Sequence, residues 1–519
     1  MNRRDDSTIG CTVDHTSPGN TVNGREEASL LMVAAKGGLL SFAGTTVGRI
    51  LMLFLQILVS RIYGPQYYGI FVTCLLICQI TQIISGLGLQ KGGMRFLAIA
   101  HERQNYEMMP DIVKTAVLFP LLFGTFAGAI LYGLAPFLAV TVFKDAEMMS
   151  VLRQFSFAVP FLTILRISSD LSRAFKTTKY AVMIENLLFS LLQVVYSFVL
   201  ATVVCSFWML FLVRRQMQRF ITPLPSHQSS NKHSILPRNW QPILAYSIPL
   251  TPFGLFLIAS NSMDIIMLNI LTDSARVGEY AAAARCVMFF GMMSYSFELI
   301  FGPLMAGQFG LRRYSQLKVL YRASTRWVFF LTLPLCVFQL LSREPLMLIF
   351  GKEFLPYGPG VLGILVVGSL FTALSGSAGI LLTISSYQYA ELACLVGSML
   401  LNMLLNLLWI PRFGVYGAAL ATIVTGFLTV SARIMTINRF LKMHPFSIHL
   451  VVPVVVASIL VIGGLLVESV FDLNSATKVI IGIGAGCVVS LSIIVTGFDN
   501  NDRELWRTVR KKFARNPPV

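Results

Sequence analysis

Apolar runs of about 20 residues recur along most of this chain, each long enough to cross a hydrocarbon core of roughly 30 Å. A backbone in lipid must satisfy its own hydrogen bonds, so runs of this length predict helices and not barrel strands. Spans are predicted at 37–59, 67–90, 113–137 and 150–171. The next run, 181–213, would be about 50 Å long as one helix, too long for a bilayer; as a hairpin it gives two short spans with almost no turn. Arg173, Lys176 and Lys179 precede it and Arg214, Arg215 and Arg219 follow it. Positive charge marks cytoplasmic loops, so both ends belong inside and the hairpin is favoured.

A polar loop with Pro223, Pro225 and Lys232 divides the chain near its middle. Beyond it the pattern predicts spans at 243–270, 278–305, 326–348, 359–383, 388–409, 414–437, 449–468 and 477–496. Fourteen spans result, with both termini cytoplasmic. The loop at 308–326 carries Arg312, Arg313, Lys318, Arg322 and Arg326, against Arg276 alone in the loop before it, which supports the same orientation.

The chain thus divides into a disordered cytoplasmic tail (1–36), a first lobe (37–213), an inter-lobe loop (214–241), a second lobe (242–441), two further transmembrane helices (442–496) and a basic cytoplasmic tail (497–519). The lobes echo each other weakly. An opening span leads to an outer turn with Gly and Tyr, YYG at 67–69, and the order returns with VGEY at 277–280. Such repeats are the usual build of secondary transporters; a coincidental Gly-Tyr turn explains the echo equally well.

Composition agrees. Of 519 residues, 55% are hydrophobic and 13% charged, too few polar side chains to cover a soluble protein of this length. The fold class is an all-α polytopic membrane protein. The eight cysteines show neither metal-ligand nor disulfide spacing. The net charge of +17 sits mostly in loops between spans, so topology and not nucleic acid accounts for it. Nothing resembles a phosphate loop, a metal cluster or a nucleophilic triad, and no catalytic residue or cofactor is predicted.

Several stretches are more specific: SRIYGPQYYGIF at 60–71, GLGLQKGGMRF at 86–96, SMDIIMLNIL at 262–271, VGEYAAAAR at 277–285, FGKEFLPYGP at 350–359 and WIPRFGVYGAALAT at 409–422. In this order the chain resembles the Wzx-type polysaccharide flippases of the multidrug/oligosaccharidyl-lipid/polysaccharide (MOP) exporter superfamily. The resemblance covers residues 37 to about 496. It implies two pseudo-symmetric six-helix lobes plus two C-terminal helices, in the bacterial inner membrane. The implied function is flipping of an undecaprenyl-pyrophosphate-linked oligosaccharide for polysaccharide synthesis, beside a polymerase and export machinery. One departure stands out. The region around Leu200–Ala201 is shorter than in the family, which implies a truncated sixth helix.

Carrying a pyrophosphate and sugars past hydrocarbon requires fixed cations and polar groups in an internal cavity. Arg49 lies about 18 Å into the first span by helical rise, too deep to snorkel easily. It is the leading headgroup cation; a bond to a neighbouring carboxylate or carbonyl is the structural alternative. Asp264 and Arg285 fall at similar depth on adjacent antiparallel spans. They are expected either to form a structural ion pair or to act as a switchable one, in which H⁺ or Na⁺ at Asp264 frees Arg285 for the headgroup. Arg166 and Arg433 lie near inner span ends, where snorkelling competes with headgroup capture. Glu298 either lines the cavity or bonds another helix. Gln79, Gln82, Asn402 and Asn406 are candidates for sugar contacts, against bonding between helices. Pro249 and Pro252 predict a bend early in span seven, either static or a hinge. Basic RELWRTVRKKFAR at 503–515 reads as a surface helix on anionic lipid, or as an ordinary positive-inside tail.

A cation-coupled multidrug pump of the same superfamily is the competing reading. It would favour acidic residues in the first lobe, whereas the first span has Arg49 and no carboxylate. A glycosyltransferase or polymerase generally needs a sizeable extramembrane loop, and none is present.

Overall fold

The computed structural model describes residues 23–175, 180, 183–184, 188–189, 198–221, 240–385, 387–446, 448–471 and 473–497. Helix α1, Asn23–Ser85, is two legs merged across an elbow at Gly64 (φ 75°, ψ −179°), a backbone conformation that glycine adopts without a Cβ clash. Pro65 opens the second leg, where its missing N–H costs nothing. The turn therefore falls before YYG, whose residues already belong to the second leg. The first leg also starts well before the expected 37, because residues 25–36 are rich in Glu, Ala, Leu and Met, strong helix formers that extend the apolar run.

After a turn at Leu87 and Gly88, α2 (Leu89–Glu102) runs as an amphipathic helix. Then come α3 (Met109–Pro136) and α4 (Met148–Arg173). Most of the fifth span lies outside the described residues. The sixth, α5 (Phe198–Ile221), is a helix of 24 residues that continues through Arg214–Gln218 beyond the apolar run. The inner part of the inter-lobe loop and the 503–515 segment also lie outside the described residues.

The second lobe opens with α6 (Trp240–Ser247), a 3₁₀ turn at Ile248–Leu250, and α7 (Thr251–Leu271). The expected bend is this 3₁₀ interruption, at the two prolines that lack backbone donors. Next are α8 (Ser274–Gly310), α9 (Tyr314–Leu341) and the short α10 (Arg343–Leu348). The basic segment read as a loop to 326 is helical from Tyr314, and Arg326 is buried. α11 (Gly358–Ser375) breaks at Gly376 (φ 51°) before α12 (Ala378–Ile384) completes the span. Two long helices, α13 (Gln388–Phe413) and α14 (Val415–Leu441), precede the C-terminal pair, α15 (Val451–Val470) and α16 (Ser475–Ser492).

Among the described residues, eleven helices are long and apolar enough to cross a membrane. With α1 taken as two legs and α8 added, every expected span but the fifth has its helix. In the first lobe α4 packs against α1, α3 and α5; in the second, α11 packs against α8, α9 and α14, and α13 against α14. The C-terminal pair lies on α9.

The lobes meet through glycines. A methyl added at Gly69 would sit 1.8 Å from the Ser274 carbonyl oxygen, and one at Gly278 would sit 2.0 Å from that of Pro65. The two echoed motifs, YYG and VGEY, thus bring their helix starts to backbone contact across the lobe boundary, which explains why both carry glycine. The same end is closed by Ser60 Oγ donating to the Phe350 carbonyl (3.1 Å) and Arg61 Nε to that of Ile349 (2.8 Å). Ser274 Oγ donates to Asp145 (2.7 Å). At the opposite end α2 meets α6, with Arg95 over the Tyr246 ring at 4.2 Å.

Candidate functional site: a carboxylate held by neutral donors

Asp264 lies on α7, seven residues before its end, on a span of otherwise apolar character. It is half-buried, and three neutral side chains donate to it. Asn406 Nδ2 of α13 reaches Oδ1 at 2.7 Å. Tyr280 OH of α8 and Thr422 Oγ1 of α14 each reach Oδ2 at 2.7 Å. Four helices thus converge on one carboxylate. Asn406 is buried, its Nδ2 also contacts Asn402 Oδ1 at 3.0 Å, and its own Oδ1 has no hydrogen-bond partner.

The expected ion pair with Arg285 is not formed: among the described residues no cation lies within 4.0 Å of Asp264. Arg285 is half-buried on α8 and lies close enough to Tyr68 of α1 for its charge to act on the phenol. Similar depth on adjacent helices set the expectation, but depth does not fix the azimuth of a side chain around its helix. A carboxylate in hydrocarbon without a cation is costly unless hydrogen bonds satisfy its lone pairs, and here neutral donors do so.

The remaining predicted residues separate. Arg49 is half-buried on the first leg of α1 and makes no hydrogen bond or ion pair among the described residues. By helical rise it stands about 22 Å from the Gly64 elbow. Arg166 is half-buried on α4. Gln79 is half-buried and Gln82 buried, with Gln82 Nε2 unpartnered. Asn402 and Asn406 join the Asp264 cluster. Glu298 on α8 feels the charges of Arg433 and Glu391. Arg433 is not a lone snorkelling cation. It clamps Glu391 through Nε (3.0 Å) and Nη2 in a fork geometry, both side chains mostly buried.

Sequence reading missed Tyr280, Thr422 and Glu391. The signal for two of them was present: Tyr280 closes VGEY and Thr422 closes WIPRFGVYGAALAT, so three motifs quoted for resemblance converge on one point. Two clefts, of about 480 Å³ beside Arg343 and Ser475 and about 520 Å³ between α3 and α4, lie away from this cluster.

A two-lobed helical bundle with pseudo-symmetric first hairpins, an elbow in its first helix and an intramembrane carboxylate at a four-helix junction is the build of a multi-pass membrane transporter. A profile described as polysaccharide biosynthesis protein matches residues 58–359, more than half of the chain, and the chain belongs to that family. No curated protein matches. Among solved structures, the lipid II flippase MurJ in an inward closed conformation aligns with TM-score 0.65 at 14% identity, covering 87% of this chain and 98% of that one. An inward-facing multidrug resistance MATE family transporter of the MOP superfamily aligns with TM-score 0.58 at 12% identity over 78% and 98%. The MATE transporter VcmN of Vibrio cholerae aligns with TM-score 0.54 at 13% identity over 79% and 98%. At these identities the likeness is one of fold. The chain is a multi-pass helical member of that polysaccharide biosynthesis family, with the fold seen in MurJ and the MATE transporters.

Proposed function

We propose that the protein flips lipid-linked oligosaccharide, carried on undecaprenyl pyrophosphate, across the bacterial inner membrane by alternating access, with both termini cytoplasmic. Arg49 is the observation that carries this reading. A guanidinium deep in a span with no carboxylate to neutralise it suits an anionic headgroup and repels a cationic drug. Arg285, and Arg166 nearer the cytoplasmic side, supply further positive charge for the phosphates. Gln79 and Gln82 offer amides to the sugars, and Gln82 keeps a free donor.

Coupling is assigned to Asp264. Its carboxylate, the unpartnered Asn406 Oδ1, Asn402 Oδ1 and Thr422 Oγ1 form a set of oxygens suited to a hard cation, and the carboxylate equally accepts a proton. Loading there exchanges neutral donors for a positive charge and shifts α7 against α13 and α14, while the 3₁₀ turn before α7 allows the lobe to rock. The product passes to a polymerase and export machinery, and the basic 503–515 segment binds anionic lipid.

Complementation of a strain lacking its own polysaccharide flippase tests the reading. Arg49→Ala should abolish surface polysaccharide at normal protein levels, and Arg49→Lys should keep part of it. Unaltered export by Arg49→Ala would remove the headgroup assignment, and drug resistance conferred on expression would favour the multidrug pump instead.

A further inference from the structure

The end of the second lobe opposite the Gly64 elbow collects positive charge. Residues 311–322, which lead into α9, carry Arg312, Arg313, Lys318 and Arg322, and the connection from α14 to α15 carries Lys442 and His444. Neither stretch contains an acidic residue.

Within this surface one guanidinium is held in place. Arg322 donates through Nε to the His444 carbonyl (3.2 Å), and its Nη2 lies 2.6 Å from Nε2 of the same residue's imidazole. Both partners are neutral acceptors, because desolvation and then the charges of Arg322 and Lys318 lower the His444 pKa from its ordinary value. Lys318 stands four residues before Arg322, on the same face of α9. Among the described residues neither cation makes an ion pair, so the guanidinium is oriented but not neutralised. Like charges at this spacing repel, and an anion set between them removes that cost.

The neighbouring residues say which anion. Arg322 lies four residues before the apolar span predicted from 326 and His444 five before that from 449, which puts both at the boundary of water and hydrocarbon. Phe446 and Ile448, 49% and 77% exposed, follow His444. Helix α15 then presents Val451, Val455, Ile459, Ile462 and Leu466 outward, at intervals of three and four residues that mark one face. This helix packs on α9, so the apolar stripe begins beside the two cations. A soluble anion would use the cations alone. A phosphodiester lipid uses the cations for its headgroup and the stripe for its tails.

We infer that Arg322 and Lys318, with His444 orienting the guanidinium, form a headgroup site for an anionic phospholipid whose acyl chains lie along α15. The site is separate from the cavity assigned to the flipped substrate and does not depend on that reading.

Photolabelling of the full-length protein in phosphatidylcholine nanodiscs tests it. The probes are phosphatidylglycerol and phosphatidylcholine, each with the same photoreactive group near the carboxyl end of one acyl chain, and the label is mapped by peptide mass spectrometry. The glycerol lipid should label residues 446–459 at least about fivefold more than the choline lipid, the scale on which one basic residue at the surface favours an anionic lipid. Arg322→Gln combined with Lys318→Gln should abolish that preference. Arg312→Gln combined with Arg313→Gln, at exposed cations outside the clasp, should leave it near the parent value. Equal labelling by the two lipids, or a parent-like preference in the Arg322/Lys318 variant, would overturn the site. A loss just as large in the Arg312/Arg313 variant would also overturn it, in favour of a diffuse surface potential. Suppression of the label by inorganic phosphate would assign the cations to a free anion, and suppression by polyglutamate to an acidic protein; either would overturn the lipid.

Discussion

Asp264 and Glu391 are two carboxylates of the same lobe in opposite electrostatic settings. Glu391 receives a forked guanidinium from Arg433, so its charge is cancelled by a partner that cannot leave without stranding an ion in low dielectric. Asp264 receives an amide, a phenol and an alcohol, none of which carries charge. The first arrangement is locked; the second is satisfied by hydrogen bonds but not neutralised by a cation.

The strongest break of this comparison is Arg433→Leu. Leaving Glu391 mostly buried without its partner should cost about 3–5 kcal/mol, read as a lower melting temperature and lost folded yield in detergent, whereas replacing both residues by leucine should restore most of it. Asp264→Asn should do the reverse. Folded yield should stay near normal while export falls by about 100-fold, the scale of a coupling free energy near 3 kcal/mol, and dependence on Na⁺ or pH should vanish with it. Thr422→Val removes one donor from the same carboxylate. An about tenfold weaker apparent affinity for the coupling ion is expected, the lower end of what a hydrogen bond to a charged group contributes. The smallest effect tests the missing ion pair. In a double-mutant cycle of Asp264→Asn with Arg285→Ala, stability changes should add to within about 0.5 kcal/mol, as for residues without a shared partner; a larger coupling would restore the pair.

Much of the architecture was legible because hydrocarbon imposes it. Spans 113–137 and 150–171 reappear as α3 and α4 to within a few residues, since an apolar run of bilayer length has no alternative to helix. Ends were less legible. α1 and α9 extend well outside their apolar runs, where helix propensity and packing, not hydropathy, decide where a helix stops. The elbow was placed at YYG because Tyr-Gly reads as a turn, yet the backbone reverses at Gly64 and spends Gly69 on contact with the other lobe.

The candidate site divides in the same way. Asp264, Asn402 and Asn406 were visible as polar residues in spans that should have none, and Arg49 as a cation too deep to reach water. Their partners were not visible, because Tyr280 and Thr422 are ordinary on an apolar helix and acquire meaning only by meeting a carboxylate from another one.

What the amino-acid order settled by itself is the number and kind of elements: lipid penalises every unpaired backbone group, so apolar length alone dictates helices and the polar exceptions announce themselves. What only the tertiary structure decided is pairing. Rotation about each helix axis is set by packing between helices, and that rotation turned Arg285 away from Asp264, brought Arg433 to Glu391, and brought three uncharged donors to Asp264.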